Sequence, residues 1–199
     1  MSATLLHPLA TVHPSATVGT AAVVMEGAMI GPGVTVGSRA TIGEGAILRP
    51  DSRVGEYATV EAYAAVGSRG EIGPGAVLGM YSTMGTGSKL GAQARVDARA
   101  RVRKGAHVGD RAVVGNRATL GRGVLLEYGA VVGNRATLGN LARVGVEAEV
   151  ELRAQVGGST TIGSGARIGK RARVGQRVRI GKHAVVASRA VVRDGEVVR

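Results

Sequence analysis

The chain has 199 residues, among them 33 Gly and 4 Tyr, with no Phe, Trp or Cys although 44% of residues are hydrophobic. A packed globular core draws on large aromatic rings, which this composition withholds, and the lack of Cys excludes a disulfide framework, a thiolate metal site and a thiol nucleophile. Net charge is +12, no apolar run is long enough for a membrane helix, and Met1-Ser2-Ala3-Thr4-Leu5-Leu6-His7 lacks the basic and apolar segments of a secretory signal, so a cytoplasmic location is expected.

Read in chain order, the sequence repeats with a period of six. Stepping by six from Leu6 gives Val12, Val18, Val24, Ile30, Val36, Ile42, Leu48, Val54 and onward to Val198; of 33 such positions, 32 are Val, Ile or Leu and one is Met84. Two residues before each aliphatic stands a small one, as at Ala16, Ala22, Ala28, Val34, Ala40, Ala46 and Ser52, a rule broken at Glu196. Gly takes 21 of the 33 positions just after the aliphatic, and Pro8, Pro14, Pro32, Pro50 and Pro74 each fall two after it. Side chains alternate along a strand, so the aliphatic and the small residue point inward. The residue between them points out, and Thr35, Thr41, Thr59, Thr119, Thr137 and Thr161 suit that surface position. Gly, Pro, Asn, Ser and Asp mark the turns, for the φ values they favour. A strand and a turn in every six residues predict an all-β solenoid.

Units such as Ile42-Gly43-Glu44-Gly45-Ala46-Ile47 and Ile162-Gly163-Ser164-Gly165-Ala166-Arg167 resemble the hexapeptide-repeat family of left-handed parallel β-helices, and the resemblance runs over essentially the whole chain. It implies three hexapeptides per triangular coil, hence 18 residues per coil and about 11 coils, in one domain over residues 1–199. At ~4.8 Å per coil the rod is roughly 50 Å long. The handedness rests on the resemblance, because parallel crossovers are otherwise right-handed. A thin prism has room inside for Val, Ile, Leu and Ala and none for an indole. The register never slips, leaving no inserted loop and no helical region.

Val12-His13-Pro14-Ser15-Ala16 resembles the start of the UDP-N-acetylglucosamine acyltransferases of this family. As the resemblance implies, those enzymes carry a catalytic His mid-rod and a loop or C-terminal helical region at the acyl-donor site. The unbroken register here favours a non-catalytic structural or binding scaffold, since loops are where scaffolds place function. The alternative is a hexapeptide-repeat acyltransferase using acetyl-CoA, another acyl-CoA or an acyl-carrier thioester at a trimer interface. His107 would then be the general base and the basic surface would receive the donor's phosphates.

His7, His13, His107 and His183 take four different angular positions in an 18-residue coil. His107 and His183 lie about four coils apart, roughly 20 Å, too far to share a metal. The three-His zinc site that the resemblance to γ-class carbonic anhydrases would bring is not visible, so no metal is expected. Gly31-Pro32-Gly33, Gly73-Pro74-Gly75 and Gly163-Ser164-Gly165 are turn units of the repeat, because a nucleotide-binding reading needs a following helix. Glu147, Glu149 and Glu151 read as charge compensation for Arg167, one coil on, and for nearby Arg153.

The charge is one-sided. Residues 1–98 carry 6 basic and 7 acidic side chains, whereas residues 99–199 carry 20 and 7. Arg99, Arg117, Arg135, Arg153, Arg171 and Arg189 are spaced by one coil each and are expected to stack along one corner, with Tyr63 and Tyr81 continuing the line and Arg101 and Arg173 beside it. Like charges facing one another destabilise a ladder. Three explanations stand: a polyanion-binding edge, docking on an acidic partner or another copy of the rod, or a corner that accepts any long polar side chain. Aromatic residues interleaved for base stacking are missing there, so sequence-specific nucleic-acid recognition is not expected.

Val113–Gly121 and Val131–Gly139 are identical over half a coil, as if a coil had been copied. Their stacking places Asn116 beside Asn134 and Thr119 beside Thr137, pairs able to share hydrogen bonds. Val23, Val77, Val113, Val131 and Val185 fall on one outward face with Leu5, an apolar row suited to association. Family members that resemble this chain are commonly side-by-side trimers; end-to-end growth into a filament through open strand edges is the other assembly considered.

Overall fold

The computed structural model describes residues 4–199, which wind as the left-handed parallel β-helix of about eleven coils expected from the sequence. Two-residue strands begin with Leu5–Leu6, Thr11–Val12 and Thr17–Val18 and recur every six residues as far as Val197–Val198. Every third strand joins the same sheet, so three 11-stranded parallel sheets run along the stack. We name them A, B and C after those first three strands. Pairing advances by one 18-residue coil: Val113 faces Val131 in sheet A, Thr119 faces Thr137 in sheet B, and His107 faces Leu125 in sheet C. There is no helix among the described residues.

The core is the expected register. Ile42, Leu48, Leu78, Leu120, Leu126, Leu138, Ile162 and Ile168 are fully buried, with Ala22, Ala64, Ala118 and Ala148 packed between the aliphatics. Each such Val, Leu or Ile is worth ~1.5–3 kcal/mol relative to exposure. Where Ser replaces Ala inside, two hydroxyls find a carbonyl, Ser82 donating to Gly79 O at 2.5 Å and Ser88 to Gly85 O at 2.6 Å, while the buried Ser52 hydroxyl has no partner among the described residues.

The hydrogen-bond pattern explains where proline falls. In a typical unit the N–H of the outward strand residue bonds the next coil, as Thr41 N does Ala58 O, and so does the residue after the aliphatic, as Gly43 N does Val60 O. Two residues later the N–H bonds the preceding coil, as Gly45 N does Glu26 O, and the next closes the turn, as Ala46 N does Gly43 O. The position between Gly43 and Gly45 has no backbone acceptor. Pro8, Pro14, Pro32, Pro50 and Pro74 all occupy that position, where the missing donor costs nothing. Elsewhere side chains cap it. Asp110 accepts from Ala92 N, Asn140 from Arg122 N and Glu127 from Val146 N, at 2.8, 2.9 and 3.1 Å. Asn134 caps Asn116 N at 2.8 Å, so its stacking on Asn116 is expressed as a side chain to backbone bond.

One expectation is corrected. The frequent Gly after each aliphatic does not supply a left-handed φ. At Gly37, whose φ lies outside the left-handed region, an added Cβ would lie 2.6 Å from Glu56 N and 2.7 Å from Gly55 C. The reason for glycine there is the close approach of the next coil's backbone. The left-handed conformation falls two residues later, where 20 residues other than Gly take φ of 54–62°, ten of them Arg. An L-residue in that region carries a steric cost of roughly 1–2 kcal/mol.

Candidate functional site

His107 sits on an exposed strand position of sheet C, between Lys89 and Leu125 in register. The same outward file runs Arg53, Glu71, Lys89, His107, and Lys89 Nζ lies 2.8 Å from Glu71 Oε2. These four residues, with Thr35 and Asp110, line a shallow recess of about 480 Å³. The Asp110 carboxylate is held in place by its bond from Ala92 N.

The other histidines are differently engaged. His7 Nδ1 accepts from Leu9 N at 3.2 Å, and His13 Nδ1 shares a hydrogen bond with Ser15 Oγ at 2.9 Å. His183 occupies a left-handed corner with its ring against Gly165. Among the described residues no hydrogen bond holds the His107 ring, so His107 alone presents an uncommitted imidazole in the middle of a sheet face. Larger recesses, about 600 and 590 Å³, lie on sheet B around Gln155, Arg173 and Asp194 and around Met29, Ile47 and His13. The first contains no histidine, and the second contains the committed His13.

Immediately before His107, at the corner between sheets B and C, the structure gathers a cationic cluster that the linear sequence reading missed. Arg101, Arg103, Lys104 and Arg122 line a recess of about 360 Å³ with Thr83 and Gly85, and no carboxylate lies among its lining residues. The signal was present as the run Arg101-Val102-Arg103-Lys104 with Arg122 one coil after Lys104. Arrangements of three or more His, Cys, Asp or Glu side chains able to hold a metal ion are absent among the described residues.

The six arginines spaced by one coil occupy successive left-handed corners between sheets A and B, with φ of 58–62°. Tyr63 and Tyr81 continue the line, their rings stacked at 5.1 Å and 8°, and the Arg99 guanidinium carbon lies 5.9 Å from the Tyr81 centroid. A hydrogen bond to Glu44, together with that carboxylate's charge, holds the Tyr63 phenol above the usual tyrosine range. Arg167 pairs with Glu149 at 3.3 Å and Glu151 at 2.5 Å, part of the charge compensation expected there, while among the described residues Glu147 and Arg153 form no ion pair. The apolar row of sheet A lies on one face, as expected, but Arg95, Glu149 and Arg167 interrupt it.

Two family models match the sequence: Bacterial transferase hexapeptide (six repeats) over residues 21–56 and 159–194, and Hexapeptide repeat of succinyl-transferase over residues 105–140. Among solved structures, UDP-N-acetylglucosamine acyltransferase from Arabidopsis is similar at 19% identity and a TM-score of 0.63, over 92% of this chain and 71% of that one. The Campylobacter jejuni enzyme of the same description is 19% identical at a TM-score of 0.51, over 79% and 67%. A third is 15% identical at 0.58, over 92% and 70%. At these identities the likeness is one of fold. Curated protein sequences give no match. No helix among the described residues is long and apolar enough to cross a membrane. The matched repeats and the coil structure together identify this chain as a member of the hexapeptide-repeat family.

Proposed function

We propose that the chain is an acyltransferase whose working face is sheet C around His107. The observation that carries this reading is the juxtaposition of an uncommitted, exposed imidazole with a carboxylate-free cationic recess at the adjoining corner. Membership of a repeat family described as transferases supports it. In this reading Arg103, Lys104 and Arg122 receive the phosphates of an acyl-CoA or acyl-carrier thioester. His107 takes the proton from an acceptor hydroxyl or amine as that group attacks the thioester carbonyl. The tetrahedral adduct collapses with cleavage of the C–S bond, and the imidazolium returns its proton to the departing thiolate. Assembly is proposed as a lateral homo-oligomer through sheet A, leaving sheet C open.

A second reading, a non-catalytic binding scaffold, draws on the turns, which are of uniform length from Leu6 to Val198 and carry no loop to close over a substrate.

The two are separated by thiol release from acetyl-CoA and longer acyl-CoA donors against a panel of amine and hydroxyl acceptors, together with thermal shift by each donor. Acyl transfer predicts turnover that falls roughly 100-fold or more in H107A at unchanged donor KM, and a raised donor KM in the R103A/K104A variant. Absence of both turnover and thermal shift across the donors overturns this reading and leaves the scaffold. Turnover undiminished in H107A removes His107 from the mechanism.

A further inference from the structure

We infer that the corner between sheets A and B is a binding edge for an extended anionic polysaccharide, lying along the six arginines from Arg99 to Arg189. The edge is separate from the His107 face and does not depend on the acyl-transfer reading.

At two arginine corners elsewhere the guanidinium is held by a tyrosine, a hold that this edge lacks from Arg117 onward. Arg39 donates to the Tyr57 hydroxyl one coil on and lies over its ring. Arg111 donates to Gln93 Oε1 at 3.1 Å and the Tyr128 hydroxyl at 2.8 Å. From Arg117 to Arg189, the corner neighbour one coil away is always another arginine, and among the described residues none of these guanidiniums is in an ion pair.

The carboxylates closest in the chain are already engaged. Asp97 holds Arg95 at 2.6 Å, while Glu151 holds Arg167 and caps Lys170 N at 3.1 Å. Five coil steps at ~4.8 Å place six like charges along roughly 24 Å. All six sit in a backbone conformation that disfavours L side chains. Strain recurs at all six positions and like-charge repulsion at each of the five steps between them, and an anionic partner would offset the second.

Spacing and chemistry select the occupant. The file is straight and single, with one cation per coil, which matches a polymer carrying one carboxylate on each sugar of an extended chain. A duplex presents its phosphates on a helical path and meets a straight ridge only locally. A single nucleic-acid strand calls for aromatic faces on which bases stack, yet the Tyr63 and Tyr81 rings face each other and Arg99 lies over Tyr81. Beside the file, Asn116, Asn134, Arg135 and Arg153 line a recess of about 390 Å³. Asn134 uses Oδ1 to cap the backbone and keeps its amide N–H₂ for a ligand. Amide donors between guanidiniums suit a ligand whose hydroxyls alternate with carboxylates, and polyphosphate has no such hydroxyls.

The test uses the full chain and a galacturonic-acid oligomer long enough to span the edge, titrated calorimetrically at several ionic strengths. An oligothymidylate of equal charge serves as the competing polymer. In the triple variant Arg117→Asn, Arg135→Asn, Arg153→Asn, the new residue tolerates the left-handed corner. A matched triple, Arg143→Asn, Arg177→Asn, Arg179→Asn, removes the same charge from other surfaces. The edge triple should raise the galacturonate Kd by roughly tenfold or more and flatten the log Kd against log salt slope by about two to three; the matched triple should change Kd less than about twofold. No galacturonate binding at low salt, or equal losses in both triples, overturns the proposal. Tighter binding of oligothymidylate that is lost in the edge triple overturns the choice of polysaccharide.

Discussion

Replacing Gly109 and Gly105 by Ala, singly and together, separates the two uses of glycine within one coil. Gly105 has φ +67°, and a Cβ there meets nothing within 4 Å, so the whole penalty is conformational. Left-handed Ala costs ~1–2 kcal/mol. The reduced freedom of the unfolded chain returns ~0.4–1 kcal/mol, leaving a net loss of about 0.5–1 kcal/mol. At Gly109 the same unfolded-state gain applies, but the new methyl lies 2.7 Å from Leu126 O and 2.8 Å from Glu127 C, both backbone of the next coil. Relief requires the coils to part. That stretches the 2.8 Å bond from Gly109 N to Leu126 O, and no side chain can move instead. Overpacking of this kind costs ~1–3 kcal/mol and a weakened ladder bond up to about 1 kcal/mol more, so a net loss of about 2–3 kcal/mol is expected. Urea unfolding followed by far-ultraviolet circular dichroism reads both, with an unchanged m-value as the check on two-state comparison. Gly105→Asn should recover most of the Gly105→Ala loss, because Asn enters the left-handed region readily. A Gly105→Ala loss equal to or larger than that of Gly109→Ala would refute the assignment of close approach to one glycine and φ to the other.

Two further outcomes follow from the surface geometry. The hydrogen bond to Glu44 raises the Tyr63 phenol in the folded state, so its contribution to stability is complete below the ordinary tyrosine pKa and is lost as pH rises through the folded value. Phenolate absorbance should show a Tyr63 step above the ordinary tyrosine range, and Glu44→Gln should lower it. Around Arg167, Glu151 both pairs with the guanidinium and caps Lys170 N, whereas Glu149 makes only the longer, exposed pair. Thermal denaturation should show Glu149→Ala costing under ~0.5 kcal/mol and Glu151→Ala about 1–2 kcal/mol, with added salt narrowing the difference.

The inward register was legible because Val, Ile and Leu at every sixth position have no competing explanation, and Leu120 and Ile162 lie where that spacing puts them. The 18-residue coil was accessible only through the family resemblance, since a period of six does not say how many units close a turn. Glycine after the aliphatic was seen, but its cause was hidden: Gly37 is constrained by Glu56 and Gly55, a full coil away. The left-handed corner was masked by its occupants, because Arg, Tyr and Gln carry no sequence signal for φ > 0. His107 was identified as the histidine of interest, while its neighbour cluster of Arg101, Arg103, Lys104 and Arg122 emerges only when Arg122 is laid above Lys104.

Coil copying acquires a mechanical meaning from the uniform register. Val113 pairs with Val131 and Thr119 with Thr137 across two coils that share one nine-residue stretch, Val113–Gly121 and Val131–Gly139. One more coil inserted there would return every inward aliphatic to an equivalent neighbour. Everything beyond it would move along the axis by one strand spacing, ~4.8 Å. The molecule is thus a ruler graduated in whole coils. His107 lies before the copied segment and Arg153, Arg171 and Arg189 lie beyond it, so the separation between the sheet C face and the far arginines can change only in whole graduations. Each set would keep its own side of the prism.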